Sequence, residues 1–367
     1  MIQIIFCTDG IFPFSIGGMQ RHSRLLIEQL SSNDELEIIV LHPHEHKVFN
    51  NIRIKEINIP GINKDGIYLM ECYKYSKKVY GVLTKYPKAL IYSQGLSVWY
   101  NSAKLKDRLI ANPHGLEPFQ AIGFKNKLQS IPFKIIFKRI FKNSCCVISL
   151  GGKLTEILHN NVSKNTKIIE LNNGINLPLK YFKKINCNET IEVLFLGRFA
   201  SNKGIDVLFK AIEVLNSEGF QNTFHFTLGG NGPLLDFYQK NNSFKNVQLL
   251  GFIDDENLAD IFSKNELFVL PTLFEGMPTV VLEAMSHGLS IIVSDVGATK
   301  LMVDDSNGKL IQAGSINALV DALKWYSRLD FKSRSKLSEN SYVKVSENFT
   351  WEKIAGDHLD LFKTFKK

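Results

Sequence analysis

Short apolar runs rich in β-branched residues alternate along this chain with stretches of helical periodicity. Such alternation is typical of parallel sheets built from βαβ units. The predicted strands are Gln3–Thr8, Glu37–Leu41, Ala89–Ser93, Leu109–Asn112, Cys145–Ser149 and Lys167–Leu171 in the first half, and Glu192–Leu196, Thr223–Leu228, Val247–Leu250, Leu267–Pro271 and Ser290–Ser294 in the second. Helices are predicted between them, for example over residues 204–216 and 317–329. The pattern predicts an α/β protein.

A polar, aperiodic segment from Pro178 to Glu189 separates the two halves. A chain of 367 residues is also too long for one ordinary core. We therefore predict two doubly wound, Rossmann-like domains, 1–177 and 178–349, that bind ligand in a cleft at the carboxyl ends of their strands. The tail 350–367 has helical apolar spacing and is predicted to complete the first domain, with packing as its expected role.

Composition narrows the class of protein. The chain has 44% hydrophobic and 22% charged residues, contains no apolar run of membrane-spanning length, and begins without a secretory signal pattern, so we expect a cytoplasmic globular protein. Five cysteines without CxxC spacing are predicted to be thiols rather than a disulfide or metal framework: Cys7, Cys72, Cys145, Cys146 and Cys187. The net charge of +8 indicates an anionic partner, which leaves nucleic acid, membrane surface and phosphorylated substrate open.

Two glutamates eight positions apart follow the strand predicted to end at Pro271. Glu275 falls on the turn, and Glu283 falls inside a short apolar helix that Pro278 opens. Carboxylates accept hydrogen bonds from hydroxyl groups, and a helix start attracts phosphate. The pair therefore suits a phosphate bonded to sugars. The alternative is that Glu275 lies on the surface and Glu283 solvates a helix, with no role in binding.

Two cations follow the strand that ends at Leu196. Arg198 and Lys203 lie five positions apart on the turn that leads into the next helix. Arginine can contact a diphosphate bidentately, while lysine acts as a point charge. A solvated turn remains the plainer interpretation of this pair alone.

The stretch LGGNGPLL at 228–235 imitates a dinucleotide fingerprint, with Asp254 at about the expected distance. However, Leu235 occupies the place of the third glycine, and no residue set for hydride chemistry accompanies it, so an NAD enzyme is not indicated.

Taken in order, the motifs resemble the retaining nucleotide-sugar glycosyltransferases of the GT-B fold, glycosyltransferase family four. The resemblance covers nearly the whole chain: the Gly17-Gly18 turn followed by MQRHSRLLIEQL, NPHG at 112–115, LNNGI at 171–175, LGRFASNKGID at 196–206, LGGNGP at 228–233, the Glu275/Glu283 pair and the Trp351 tail. It implies a GT-B protein with an acceptor-side first domain and a nucleotide-sugar-binding second domain.

The resemblance also implies a role for each matching residue. Glu283 would bind the ribose, Glu275 the donor sugar, and Arg198 and Lys203 the diphosphate, while His114 would lie at the reacting centre. The implied catalytic set is therefore His114, Arg198, Lys203 and Glu275. The full donor-binding set is Gly17, Gly18, Gly197, Arg198, Lys203, Gly230, Asn231, Phe252, Glu275, Gly276, Met277, Pro278, Thr279 and Glu283.

The implied mechanism is retaining and needs no cofactor beyond the donor itself. Both glutamates would bind hydroxyl groups rather than flank the anomeric carbon as the carboxylates of a glycosidase do. No Asp-x-Asp follows a strand, since Asp304 and Asp305 are adjacent, so no metal is expected.

Residues 124–144 carry six cations and no acid. From Pro132 onward one predicted helical face is apolar, formed by Phe133, Ile136, Phe137, Ile140 and Phe141. Such a helix fits an anionic membrane surface contacted by Lys134, Lys138, Arg139 and Lys142, and it equally fits ordinary packing on the first sheet. Nucleic acid is disfavoured, because no reading module accompanies the charge.

The sequence thus predicts transfer of a hexose or N-acetylhexosamine from a nucleotide diphosphate, UDP in preference to GDP, to a saccharide acceptor. A lipid-linked glycan of bacterial surface polysaccharide, such as a lipopolysaccharide O-antigen, is the expected acceptor at the inner face of the membrane. A soluble acceptor and a non-catalytic sugar-nucleotide-binding protein are the alternatives. The base, sugar, acceptor, linkage and oligomeric state are not encoded in these motifs.

Overall fold

The computed structural model describes residues 1–15, 17–63, 65–121, 123–178 and 190–365. The predicted linker segment from Pro178 to Glu189, and Cys187 within it, lie almost wholly outside the described residues. The chain divides into two compact units, one formed by Met1–Gly174 together with the segment from Trp351 onward, and one by Ile175–Thr350.

The first unit is a seven-stranded parallel sheet with helices on its faces. Its strands are β1 (Ile2–Cys7), β2 (Leu36–His42), β3 (Ile54–Asn58), β4 (Leu90–Gln94), β5 (Leu109–Asn112), β6 (Cys146–Ser149) and β7 (Lys167–Glu170), in the order β3-β2-β1-β4-β5-β6-β7. Its helices are α1 (Gly18–Leu30), α2 (Tyr68–Leu83), α3 (Phe124–Lys142), α4 (Lys153–His159) and α12 (Trp351–Thr364).

The second unit repeats the arrangement with six parallel strands. They are β8 (Ile191–Leu196), β9 (Phe224–Gly229), β10 (Val247–Gly251), β11 (Leu267–Leu270), β12 (Ser290–Ser294) and β13 (Gly308–Ile311), in the order β10-β9-β8-β11-β12-β13. The helices are α5 (Ile205–Ser217), α6 (Leu235–Asn241), α7 (Asp255–Ser263), α8 (Thr279–Ser286), α9 (Thr299–Met302), α10 (Ile316–Ser327) and α11 (Phe331–Asn348).

The predicted strands all occur, with ends displaced by a residue or two, but β3 and β13 were not predicted. Both are edge strands, so one side of each makes no ladder. Edge strands bury less and carry fewer apolar residues, as the sequence Ile-Lys-Glu-Ile-Asn of β3 illustrates. Edge position weakens the sequence signal without abolishing it, since the edge strands β7 and β10 were predicted.

Helix α12 packs on the first unit as the sequence predicts. Its buried side chains Trp351, Ile354 and Phe362 join the core cluster that contains Ile4 and Leu26. These apolar positions recur at helical spacing and face the sheet through a single stripe. The tail therefore belongs to the first unit although it follows the second in sequence.

Helix α3 decides between the two interpretations of its apolar face. Phe137, Ile140 and Phe141 are buried, and Phe119 lies within ring-contact distance of both phenylalanines, so this face packs against protein and cannot be the lipid-facing side.

Among the described residues, no helix combines the length and the apolar character that crossing a bilayer requires. The four described cysteines are free thiols, as predicted.

Glycine permits backbone contact between loops of the second unit. Gly204, at the start of α5, has φ +74°, and a Cβ placed there would lie 1.9 Å from the carbonyl oxygen of Pro271. At the other end of α5, Gly219 has φ +90°, but a Cβ there would meet nothing within 4 Å. The two glycines share a positive φ and differ in the space available.

This contrast yields a stability prediction. Gly219→Ala should cost about 1–2 kcal/mol for the left-handed backbone alone, whereas Gly204→Ala should cost roughly twice that or more, because two backbone segments must separate as well. The midpoint of urea unfolding measures the difference. Equal shifts in the two variants would contradict the packing role of Gly204.

Candidate functional site

The predicted cations and carboxylates of the second unit lie on the segments that follow two neighbouring strands of its sheet, β8 and β11. Strand β8 pairs with both β9 and β11, so the loops after β8 and β11 lead to helices on opposite sides of a topological switch point. Ligands of doubly wound sheets bind in the crevice at such a point. Gly197, Arg198 and Lys203 follow β8, and the segment 275–279 follows β11.

Lys203 and Glu275 form an ion pair across the switch point. Their side chains are 26% and 12% exposed, so the pair is partly shielded from water. The hydroxyl of Thr272 lies 2.9 Å from the carbonyl oxygen of Asn202 and 3.3 Å from Glu275 Oε1. A hydrogen bond from the Thr272 hydroxyl to the Asn202 carbonyl and the Lys203–Glu275 ion pair therefore connect the loop after β8 to the loop after β11.

Arg198 differs from Lys203 in its surroundings. Its side chain is exposed, and no acidic side chain in the described part of the chain forms an ion pair with it. Its guanidinium group is consequently a charge available to a ligand at the same loop. Sequence reasoning predicted that both cations would bind one diphosphate; in the structure Lys203 is paired with Glu275, while Arg198 forms no ion pair among the described residues.

The loop after β9 approaches the loop after β8 through glycine. Gly230 has φ +133°, and a Cβ there would lie 1.9 Å from the carbonyl oxygen of Gly197. The Gly230 N–H donates to the carbonyl of Gly251 at 2.7 Å, while Asn231 is exposed. Phe252, next to Gly251, is 71% exposed and offers an aromatic face beside these loops.

Helix α8 begins where the sequence predicts. Pro278 precedes its first residue, Thr279, and needs no N–H in that position. The carbonyl of Gly276 accepts the N–H of Ala298 at 2.9 Å, which attaches the loop to the segment between β12 and α9. Met277 is buried, and Glu283 is partly buried about one turn inside the helix.

The first unit places its predicted residues at the corresponding edge of its own sheet. Gly17 precedes α1 without a side-chain cap, and a Cβ at Gly18 would meet nothing within 4 Å, so the backbone there is open to a ligand. His114 follows β5 with φ +56°, and its N–H donates to Asn112 Oδ1 at 3.0 Å. Burial lowers the pKa of His114 to about 3, so its imidazole is neutral at physiological pH.

Comparison with known proteins agrees with this geometry. Residues 190–328, which span most of the second unit, match the family model described as Glycosyl transferases group 1. An uncharacterized glycosyltransferase of Methanocaldococcus jannaschii is 28% identical over 96% of both chains. This protein is a GT-B glycosyltransferase whose residues 190–328 are similar to the group 1 family.

Two further comparisons cover most or all of this glycosyltransferase. A GalNAc-alpha-(1->4)-GalNAc-alpha-(1->3)-diNAcBac-PP-undecaprenol alpha-1,4-N-acetyl-D-galactosaminyltransferase of Campylobacter jejuni is 26% identical over 88% of both chains. The solved structure of sucrose-phosphate synthase from Thermosynechococcus elongatus superposes with a TM-score of 0.80 at 21% identity, covering 99% of each chain. The latter likeness supports the fold.

Several polar residues near the first unit's edge were missed by sequence reasoning. Asp9 lies two residues after the end of β1. Its Oδ1 is buried without a hydrogen-bond partner among the described residues, and burial raises its pKa to about 6. The Thr-Asp-Gly sequence after the first strand was an available signal. His22 lies 5.2 Å, ring to ring, from His114, and His358 is fully buried in α12.

The adjacent acids Asp304 and Asp305 serve as ion-pair partners in this glycosyltransferase. Asp304 Oδ2 lies 2.7 Å from Lys344 Nζ, and Asp305 Oδ1 lies 2.7 Å from Lys309 Nζ. Hydrogen bonding by Lys344 and Ser306 lowers the pKa of Asp304 to about 2. Within the described ranges, His, Cys, Asp and Glu side chains form no group of three suited to a metal ion. Metal independence stays a prediction.

Proposed function

We propose that this glycosyltransferase transfers a hexose or N-acetylhexosamine from a nucleotide diphosphate sugar to a saccharide acceptor with retention of configuration. The observation that carries the proposal is the convergence of Arg198, the Lys203–Glu275 pair and the start of α8 at the switch point of the second sheet. Cations for a diphosphate and carboxylates for sugar hydroxyls thus share one edge. The proposed donor is a UDP-sugar in preference to a GDP-sugar.

The charges suggest how the diphosphate is bound. Arg198, exposed and without an ion pair among the described residues, would bind the phosphate oxygens directly. Lys203 is already neutralised in part by Glu275, so the pair would offer the donor an ammonium group for phosphate and a carboxylate for a sugar hydroxyl side by side. Glu283, one turn inside α8, would accept hydrogen bonds from the ribose.

The chemical step would consist of leaving-group departure and acceptor attack on the same face. The bond between the anomeric carbon and the β-phosphate oxygen breaks, and both of its electrons leave with the nucleotide diphosphate. The acceptor oxygen forms the new bond, and its proton passes to the departing phosphate. Arg198 and Lys203 would stabilise the charge that develops on that phosphate.

The proposed acceptor is a lipid-linked glycan of a bacterial surface polysaccharide. The Campylobacter jejuni relative, whose name specifies an undecaprenol-linked acceptor, supports this choice over a soluble sugar. Acceptors of this kind place the enzyme in the cytoplasm at the inner face of the membrane. A soluble acceptor remains the alternative, and a non-catalytic binding protein is disfavoured because the predicted motif residues are all present.

An exposed surface of α3 supports membrane contact, although on a different face from the one predicted. Phe124, Leu128, Ile131 and Ile135 recur every three or four residues and are 85%, 59%, 46% and 63% exposed. Lys138, Arg139 and Lys142 on the same helix are exposed, and the helix contains no acid. An exposed apolar stripe accompanied by cations favours an anionic lipid surface.

The start of α2 extends this surface. Ile67, Tyr68 and Met70 are 78%, 50% and 53% exposed. The rings of Tyr68 and Phe133 lie 6.1 Å apart, which joins the two apolar regions. Contiguous exposed apolar surface of this kind commonly marks an interaction site.

The division of labour between the glutamates tests the proposed function. Glu283→Ala should raise the Kd of the free nucleotide diphosphate by about tenfold or more, since hydrogen bonds to a carboxylate contribute roughly 1.5–3 kcal/mol. Glu275→Ala should not raise that Kd, because it frees the ammonium group of Lys203 for the diphosphate, and it should lower kcat. Isothermal titration with UDP and GDP measures the affinities and decides the base.

Glu275→Gln serves as the matched control, because it keeps the shape and removes only the charge that pairs with Lys203. If Glu283→Ala and Glu275→Ala weaken nucleotide binding equally, the assignment of ribose to one and sugar to the other is wrong. If neither UDP nor GDP binds the unaltered protein, the nucleotide-sugar proposal fails.

Arg198→Ala should lower kcat by about 10²-fold or more, by analogy with removal of one oxyanion donor. The reason is that Arg198 would stabilise charge that develops mainly in the transition state. Arg328, exposed after α10, supplies a control in which Arg328→Ala removes the same charge far from the switch point in sequence. Steady-state kinetics with the preferred donor would contradict the role if Arg198→Ala retained activity within about threefold of the control.

Vesicle partition tests the membrane proposal. Changing Lys134, Lys138, Arg139 and Lys142 to Gln should abolish binding to anionic vesicles, because each cation at such a surface contributes about 1 kcal/mol. Binding of the unaltered protein should fall as salt rises. Co-sedimentation with vesicles of anionic and of neutral lipid measures both effects.

The matched control changes four exposed lysines of the second unit, Lys210, Lys240, Lys245 and Lys332, to Gln. It removes the same total charge and should retain partition. Equal loss of vesicle binding in both variants would show that net charge alone causes the binding. If the unaltered protein does not bind anionic vesicles, the soluble acceptor is favoured.

A further inference from the structure

His114 occupies a backbone conformation that its surroundings must maintain. Its φ of +56° lies in the left-handed region, and Leu116, two residues later, has φ +54°. A residue other than glycine in this region costs about 1–2 kcal/mol. Strained positions of this kind persist only where neighbouring groups determine them, and they concentrate at functional sites.

One hydrogen bond to His114 begins a buried chain. The His114 N–H donates to Asn112 Oδ1 at 3.0 Å, and Asn112 Nδ2 donates to the Tyr92 hydroxyl at 2.9 Å. The Tyr92 hydroxyl lies 3.0 Å from His358 Nε2, and His358 Nδ1 lies 2.7 Å from the carbonyl oxygen of Ile354. Asn112, Tyr92 and His358 are all buried.

The direction of each bond follows from chemistry. A carbonyl oxygen can only accept, so His358 Nδ1 carries a proton toward Ile354. Burial lowers the pKa of His358 to about 4, so the ring is neutral and its Nε2 is an acceptor. Tyr92 must then donate to His358, and its oxygen is left to accept from Asn112. All four bonds therefore point from His114 toward α12.

We propose that His358 is a positioning residue that holds His114 in its left-handed conformation through Tyr92 and Asn112. The C-terminal helix thereby serves the reacting edge of the first unit, in addition to filling its core. The consequence for catalysis rests on the proposed function, in which His114 contacts the donor sugar.

Hydrogen exchange tests this relay of hydrogen bonds, from His114 through Asn112 and Tyr92 to His358, without a measurement of activity. Tyr92→Phe removes the hydroxyl that links Asn112 to His358, and His358→Leu removes the acceptor while keeping an apolar side chain of similar size. Each should accelerate exchange of the His114 amide in the full, unliganded chain, and the double variant should add nothing further, because both changes break one chain. His358→Gln, whose Oε1 can accept from Tyr92, should restore protection in part.

Two controls separate positioning from general loosening. Tyr326→Phe removes another buried tyrosine hydroxyl, which donates to Ser290 Oγ at 3.3 Å in the second unit, and should leave the His114 amide unaffected. Exchange within β2 reports global unfolding in the same samples. Unchanged exchange at His114 in Tyr92→Phe and His358→Leu, or equal acceleration in β2, would overturn the relay.

Kinetics then distinguish failure of the relay from failure of the proposed function. If the relay positions His114 as proposed, Tyr92→Phe and His358→Leu should each lower kcat by about tenfold to 10²-fold. A small misplacement of a catalytic group has an effect of this size. The KM for the nucleotide sugar should stay within about threefold, since the side chains proposed to bind the diphosphate and the ribose, Arg198, Lys203 and Glu283, belong to the second unit. Faster exchange at His114 with unchanged kcat would support the relay and contradict the role of His114 in transfer.

Discussion

The site of the second unit depends on direct contact between the backbones of loops at the carboxyl ends of its strands. Gly204 lies against Pro271, Gly230 against Gly197, and Gly297 against Gly276, each so closely that a Cβ would fall within about 2.2 Å of a carbonyl oxygen. Parallel strands deliver all these loops to one edge of the sheet. The glycines then let the loops pack without side chains between them, and Arg198, Lys203 and Glu275 lie on these same loops.

Much of this could be predicted, because the signals were local. Buried central strands such as β8 and β11 are apolar runs in the sequence. The charged residues that the fold brings together lie on the turns after these strands. The pairing of Lys203 with Glu275 could not be predicted, since the residues are 72 positions apart and only the strand order makes them neighbours. Edge strands β3 and β13 escaped prediction for the opposite reason: half-solvated strands have little apolar pattern to detect.

Helix α3 shows a second limit of sequence patterns. Apolar residues occur around most of its circumference, so periodicity alone could not decide which face would be buried. Tertiary packing buries Phe137, Ile140 and Phe141 and leaves Phe124 and Leu128 exposed. The cations lie on the same helix in either case, so the charge pattern could not decide between packing and membrane contact; burial of Phe137, Ile140 and Phe141 favours packing for that face.

The buried polar chain in the first unit shows how a helix predicted only to pack can also position a loop. Helix α12 buries Trp351, Ile354 and Phe362 through its apolar stripe, and its one fully buried histidine, His358, lies on the same side. A buried imidazole without partners would be destabilising, so its presence requires the two hydrogen bonds that it makes. Those bonds orient Tyr92 and, through it, Asn112 and the backbone of His114. The cost of burying a polar ring in the core is offset by two partners, the Tyr92 hydroxyl of β4 and the Ile354 carbonyl of α12.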